Sequence, residues 1–193
     1  TAANGVLSTM ATNNNITWTG TYTPNTGVTD AINVLTLDAN WTDSAGNTGP
    51  TDTTANFTID TLAPTVSSFI MSDTALIKNQ TSTVTIVFSE AVANFNNSNI
   101  TQTTAANGVL STMATNNNIT WAGTYTPNIA VTDATNVLTL NDAWTDLVGN
   151  TGDSAITANF EIDTQSPSVT LFSMNNTALI AGDTPTVTIV FSE

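Results

Sequence analysis

The sequence predicts an all-β chain built of tandem sandwich domains of about 103 residues each. Three observations carry this prediction: a long-period internal repeat, short alternating apolar runs between turn residues, and a composition rich in Thr and Asn. TAANGVLSTMATNNNITW at residues 1–18 recurs unchanged at 104–121, an offset of 104 − 1 = 103 residues. FTIDT at 57–61 returns as FEIDT at 160–164, and TVTIVFSE at 83–90 returns unchanged at 186–193. A period this long is a whole domain rather than one turn of a solenoid. Its phase divides the chain into 1–61, the C-terminal part of a repeat read as strands C to G; 62–163, a complete repeat; and 164–193, strands A and B of the next. A chain with this phase is expected to be a window on a longer array.

Within the complete repeat each element has a local cause. Strand A is expected over 65–71, just after Pro64, which suits a strand start. Residues 73–80 read as a turn. Strand B, over 81–89, places Val84, Ile86 and Phe88 on one face. A short strand C is expected at 98–103 and strand D at 108–114, followed by an Asn-rich turn at 116–118. Strand E, over 119–126, alternates Ile119, Trp121, Gly123 and Tyr125 against Thr120, Ala122 and Thr124. Strand F is expected over 135–140 with Val137 and Thr139 on one face, and strand G over 156–162 with Ile156, Ala158, Phe160 and Ile162 inward. Seven strands in roughly 100 residues fit an Ig-like domain. Trp121, Trp144, Phe88, Phe160 and Tyr125 could stack on sugars, but large aromatics more often fill a core.

Charge narrows the function classes. Lys78 is the one basic residue against 15 acidic ones, a net charge of -14. Phosphate recognition needs clustered Lys and Arg, so nucleic acid is excluded as a partner, and anionic membrane surfaces are disfavoured. No apolar run approaches the ~18 residues of a spanning helix, so no membrane insertion is expected in this segment. The chain has no Cys and no His, so disulfides are excluded and soft-metal or imidazole chemistry has no ligand. Ser and Thr abound but lack a base to activate them, and no enzyme is expected.

Topology gives the acids another role. Strand A leads away from the preceding domain, so strand B returns toward it and ends at Glu90. Strand F also returns, which brings the F–G loop with Asp142, Asp146 and Asn150 to the same end. The preceding repeat ends at Asp60, so Asp60, Glu90, Asp142, Asp146 and Asn150 are expected at one joint, with Asp30 a further candidate. One period on, Asp163, Glu193 and Asp133 would repeat the set. Ca²⁺ takes 6–8 oxygen ligands of these kinds, so a divalent cation is one reading. The other is acids solvated in polar loops, where acids usually sit.

IDTLAPTV at 59–66, TVTIVFSEAV at 83–92, ITWAGTYTP at 119–127, VTDATNVLTL at 131–140 and WTDLVGN at 144–150 give the chain a resemblance. It resembles the bacterial Ig-like repeats of giant extracellular adhesins, of the biofilm-associated and RTX types. The resemblance implies an extracellular, cell-surface array that holds a terminal binding domain away from the cell, often with Ca²⁺ at its joints. Its implied partners are the neighbouring repeats of the same array. A rival expectation is a self-assembling surface fibre, in which copies of the chain bundle laterally or complete one another by strand exchange. This sequence departs from the pattern in two places. The 116–118 turn is Asn-Asn-Asn where related repeats often carry acids, and 97–99 is Asn-Ser-Asn where Asp is common.

Overall fold

A computed structural model of the chain describes residues 4–102 and 107–193. Thr103, the last residue of the expected strand C, lies outside the described residues. The described chain is β throughout except for one 3₁₀ turn, Asn97–Asn99, capped by the Asn96 side chain. It divides into two compact units that cut across the repeat boundary. The first comprises Thr1–Val66, Phe88–Phe95 and Asp142–Asp153; the second comprises Ser67–Val87, Asn96–Asn141 and Ser154–Glu193.

The second unit holds most of the complete repeat. Its largest sheet runs Gly108–Leu110, Thr120–Pro127, Ser82–Phe88, Val66–Met71. The alternation in Ser82–Phe88 is clean, with Val84 and Ile86 fully buried, because one face of the strand meets the core. Two three-stranded sheets also belong to this unit. One is Ile100–Gln102, Leu138–Leu140, Ala155–Ile156; the other is Ala75–Ile77, Phe160–Asp163, Thr132–Asn136. Leu76, Tyr125, Leu138, Leu140, Phe160 and Ile162 fill the core, with the Tyr125 and Phe160 rings edge-on at 5.3 Å.

Four expectations need correction here. The segment 73–80 is not only a turn, because Ala75–Ile77 pairs in parallel with Phe160–Asp163 and buries Leu76. Strand F is two strands. A register shift between Asp133 and Asn136 sets the phase, so Leu138 and Leu140 face the core rather than Val137 and Thr139. Strand G is likewise split. Thr157 turns inward, its Oγ1 accepting from the Leu138 N–H at 3.0 Å, so Ile156 and Ala158 point out while Phe160 and Ile162 point in. Trp121 is half-buried rather than buried.

The first unit contains the partial repeat. Ile100–Gln102 precedes Thr104, the counterpart of Thr1, so the segment 1–61 holds counterparts of the strands from Gly108 onward and none of strand C. Its strands pair as their counterparts do. Gly5–Leu7 joins Tyr22–Pro24, and Thr29–Asn33 joins Phe57–Asp60 with the same shift, here between Asp30 and Asn33. Burial differs. Trp41 is 43% exposed where its counterpart Trp144 is 0%, and Leu37 is exposed where Leu140 is buried. Val6 and Trp18 of this segment are exposed as well. At the other end, Val169–Met174 and Val187–Phe191 form a two-stranded hairpin whose strand residues are all exposed.

A candidate metal centre at the joint between repeats

The joint is built within the first unit. Phe57–Asp60 ends one repeat, and the chain passes through buried Pro64 before the next begins. Residues 88–95 and 142–153 of the following repeat gather here around three aromatic rings. Phe88 lies 4.5 Å from the Trp144 ring and 5.4 Å from Phe95, and all three are buried. The short strands Val92–Ala93 and Thr145–Asp146 pair antiparallel, with Val92 opposite Asp146. Gly152 packs directly on the Trp144 ring, leaving no room for a side chain. This packing fixes the loop from Asp146 to Asn150.

The loop folds onto its own carboxylate. Asp146 Oδ1 accepts from the backbone N–H groups of Val148, Gly149 and Asn150 at 2.9, 2.7 and 2.9 Å. Its Oδ2 accepts from Asn150 Nδ2 at 2.6 Å. The same amide nitrogen donates to the Asp60 carbonyl at 3.2 Å, tying the loop of one repeat to the last strand of the other. Gly149 sits at φ +105°, a backbone region that glycine enters without steric cost. Asp146 is 2% exposed. Burial alone would raise its pKa, but the hydrogen bonds from Asn150, Gly149 and Val148 outweigh that and hold it below the ordinary value.

Asp60 and Glu90 complete the group. Carboxylate oxygens of Asp60, Glu90 and Asp146 all lie within 4.8 Å of one another. Thr29 Oγ1 donates to Asp60 Oδ1 at 3.1 Å. Glu90 is half-buried, held beside the start of its repeat by the bond from the Ser89 N–H to the Thr65 carbonyl at 2.9 Å. Burial pushes its pKa up, and the negative charges of Asp60 and Asp146 push it further the same way. Lys78, the chain's one basic residue, donates to Ser166 Oγ at 3.1 Å in the second unit.

The remaining sequence candidates fall elsewhere. Asn150 belongs to the group through its amide, while Asp142 is exposed and outside it. Asp30 Oδ2 accepts from Asn4 Nδ2 at 2.7 Å, and its counterpart Asp133 accepts from Asn107 in the same way, so both serve turns within their own repeats. Hydrogen bonds from Thr135 and Asn107 hold Asp133 below the usual carboxylate range, the Thr135 N–H contributing most. Asp163 accepts from Thr132 Oγ1 at 3.1 Å, and Glu193 is exposed; neither belongs to a group of three carboxylates among the described residues. Sequence reasoning missed the Val92–Ala93 pairing that places Asp146, and the double role of the Asn150 amide. The sequence does carry the loop itself twice, since Asp43 and Asn47 stand one period before Asp146 and Asn150, and the Asn47 backbone and amide donate to the Asp43 carboxylate in the same way.

The donor set is all oxygen, which suits a hard cation such as Ca²⁺ and offers nothing to a soft one. Three carboxylates supply three to six oxygens, and water or main-chain carbonyls would complete the 6–8 that Ca²⁺ takes.

The family model for the bacterial Ig-like domain matches the chain twice, over residues 1–59 and 60–162. The chain therefore belongs to the bacterial Ig-like domain family, as tandem all-β repeats. Neither a curated protein nor a solved structure matches it.

Proposed function

We propose that the chain is a stretch of structural extender repeats from a large secreted adhesin, lying outside the cell at its surface. In this reading the repeats form a rod that projects a binding tip, Ca²⁺ stiffens each joint, and no catalysis is involved. The observation that supports it is the meeting of Asp60 from one repeat with Glu90 and Asp146 from the next inside 4.8 Å. Carboxylates at such range repel by roughly 1–4 kcal/mol per pair at ~4 Å, depending on the effective dielectric. A cation of charge +2 converts that repulsion into shared attraction across the joint. Asp60, Glu90 and Asp146 would hold the ion, with Asn150 fixing the loop beside it.

Small-angle scattering and calorimetry on the 193-residue chain test this reading. The expected result is a calcium-binding heat and a larger maximum dimension in Ca²⁺ than in chelator, at concentrations where the chain is monomeric. No heat and an unchanged dimension would leave the acids as ordinary loop residues.

A further inference from the structure

We infer that the outer face of the largest sheet is a lateral contact surface, which takes the same face of a second copy of the chain. The sheet is built from Val66–Met71, Ser82–Phe88, Gly108–Leu110, Ala114–Thr115 and Thr120–Pro127, and none of these strands carries a charged residue. All 15 acids and Lys78 lie outside them. Register sets the outward side chains in pairs, Thr83 opposite Thr124, Thr85 opposite Ala122 and Val87 opposite Thr120. Val84, Ile86 and Tyr125, of the other phase, are buried, so these pairs form the solvent side. Val109 and Ile70 extend the face on the flanking strands and are 63% and 56% exposed. The contrast is with the strand Phe160–Asp163, where Glu161 and Asp163 stand exposed.

Exposed sheet surfaces commonly carry charge, which keeps copies apart. This chain has many carboxylates and places none on this face. The side chains there are mainly β-branched and hold few rotamers, so docking immobilises little. Charge also selects the occupant. At -14 per chain, two copies repel wherever their acids face each other, and this sheet is where they can meet without burying a carboxylate. A basic partner would be steered to the acids instead. The counterparts at 17–24, 169–174 and 186–191 are uncharged too, so the face recurs with the 103-residue period and two copies present it at matching intervals. Four strands about 4.8 Å apart, each about six residues long, give roughly 300–400 Å² per repeat. That is about half of the ~800 Å² per partner of a stable complex. A single pair of faces is therefore weak, and repetition along the array multiplies it. The contact uses the same surface on both sides, so it closes as a pair of chains.

The test is NMR of the full chain with labelled Thr, Val and Ile methyl groups over a wide concentration range, with sedimentation alongside. Chelator is present so that calcium plays no part. Methyl shifts of Thr83, Thr85, Thr124 and Val109 should move together as concentration rises, while the sedimenting mass climbs from 20.1 kDa toward twice that value. Added salt should strengthen the pairing, because it screens the repulsion between the chains. Thr124→Glu alters an exposed side chain and sets a charge in the contact, so it should weaken pairing about tenfold or more. Glu161→Gln, outside this sheet, should not weaken it. Methyl groups of this face that ignore concentration at high salt overturn the proposal, and so do shifts confined to other segments, which would place the contact elsewhere. Thr124→Glu that pairs as well as wild type, or Glu161→Gln that weakens pairing as much, overturns it as well.

Discussion

Asp146 and Asp43 have the same loop chemistry and opposite surroundings. Both accept from the backbone and the amide of an Asn four residues on, but Asp146 is buried at the joint and Asp43 is exposed. Removing a buried acceptor strands its donors, at about 1–3 kcal/mol for each group left unsatisfied. Asp146→Ala should therefore lower the urea midpoint clearly, while Asp43→Ala should shift stability by less than about 0.5 kcal/mol. Equal effects would mean that the loop bonds, and not the joint, set the cost. Glu90 and Asp146 also make opposed contributions to pH dependence. The folded pKa of Glu90 is raised, so the folded joint holds a proton that the unfolded chain releases, and stability falls as pH rises through that window above the ordinary glutamate value. The folded pKa of Asp146 is lowered, so its contribution is present above the ordinary aspartate value and is lost as pH falls through the folded one. In chelator, unfolding midpoints of wild type should peak at mildly acidic pH. Glu90→Gln should flatten the alkaline side of that peak and leave the acid side in place.

Elements were legible where period and burial agreed. Val84, Ile86 and Phe88 alternate over one uninterrupted strand, so simple spacing finds their face. It fails at Leu138 and Leu140 and at Ile156 and Ala158, because the shift at Asp133 to Asn136 and the inward Thr157 each reset the phase, and neither has an apolar signature. Ala75–Ile77 was hidden for another reason: three residues between Asp73 and Asn79 look like turn, and only the tertiary partner Phe160–Asp163 makes them a strand. The meeting of Asp60, Glu90 and Asp146 was legible from strand direction, whereas Asp142, four residues before Asp146, is exposed and outside the group, a matter of loop detail that no spacing encodes. Gly152 belongs to that loop detail. Gly152→Ala would press a methyl group into the Trp144 ring and should cost about 1–3 kcal/mol, read as a lowered thermal midpoint. An unchanged midpoint would show the ring can move aside, and with it the Asp146 loop.

Across the whole molecule the sparse basic charge has a direct readout. Lys78 is the single site for a trypsin-like protease, and it sits in a turn closed by the bonds Gln80 N–H to the Ile77 carbonyl at 3.1 Å and Ile77 N–H to Gln80 Oε1 at 3.0 Å. Native digestion followed by mass spectrometry should give intact chain and at most two fragments, divided after residue 78. Any further tryptic fragment would be incompatible with the covalent chain as read.

The parallel pairing of Ala75–Ile77 with Phe160–Asp163 has a mechanical consequence. The first strand lies near the start of the complete repeat and the second at its end. A load carried along the array pulls the two in opposite directions, along their shared axis. The hydrogen bonds between them are then loaded side by side in shear and must fail together, whereas a pair opened from one end would unzip bond by bond. A three-residue ladder that also buries Leu76 would thus act as a latch against traction along the chain.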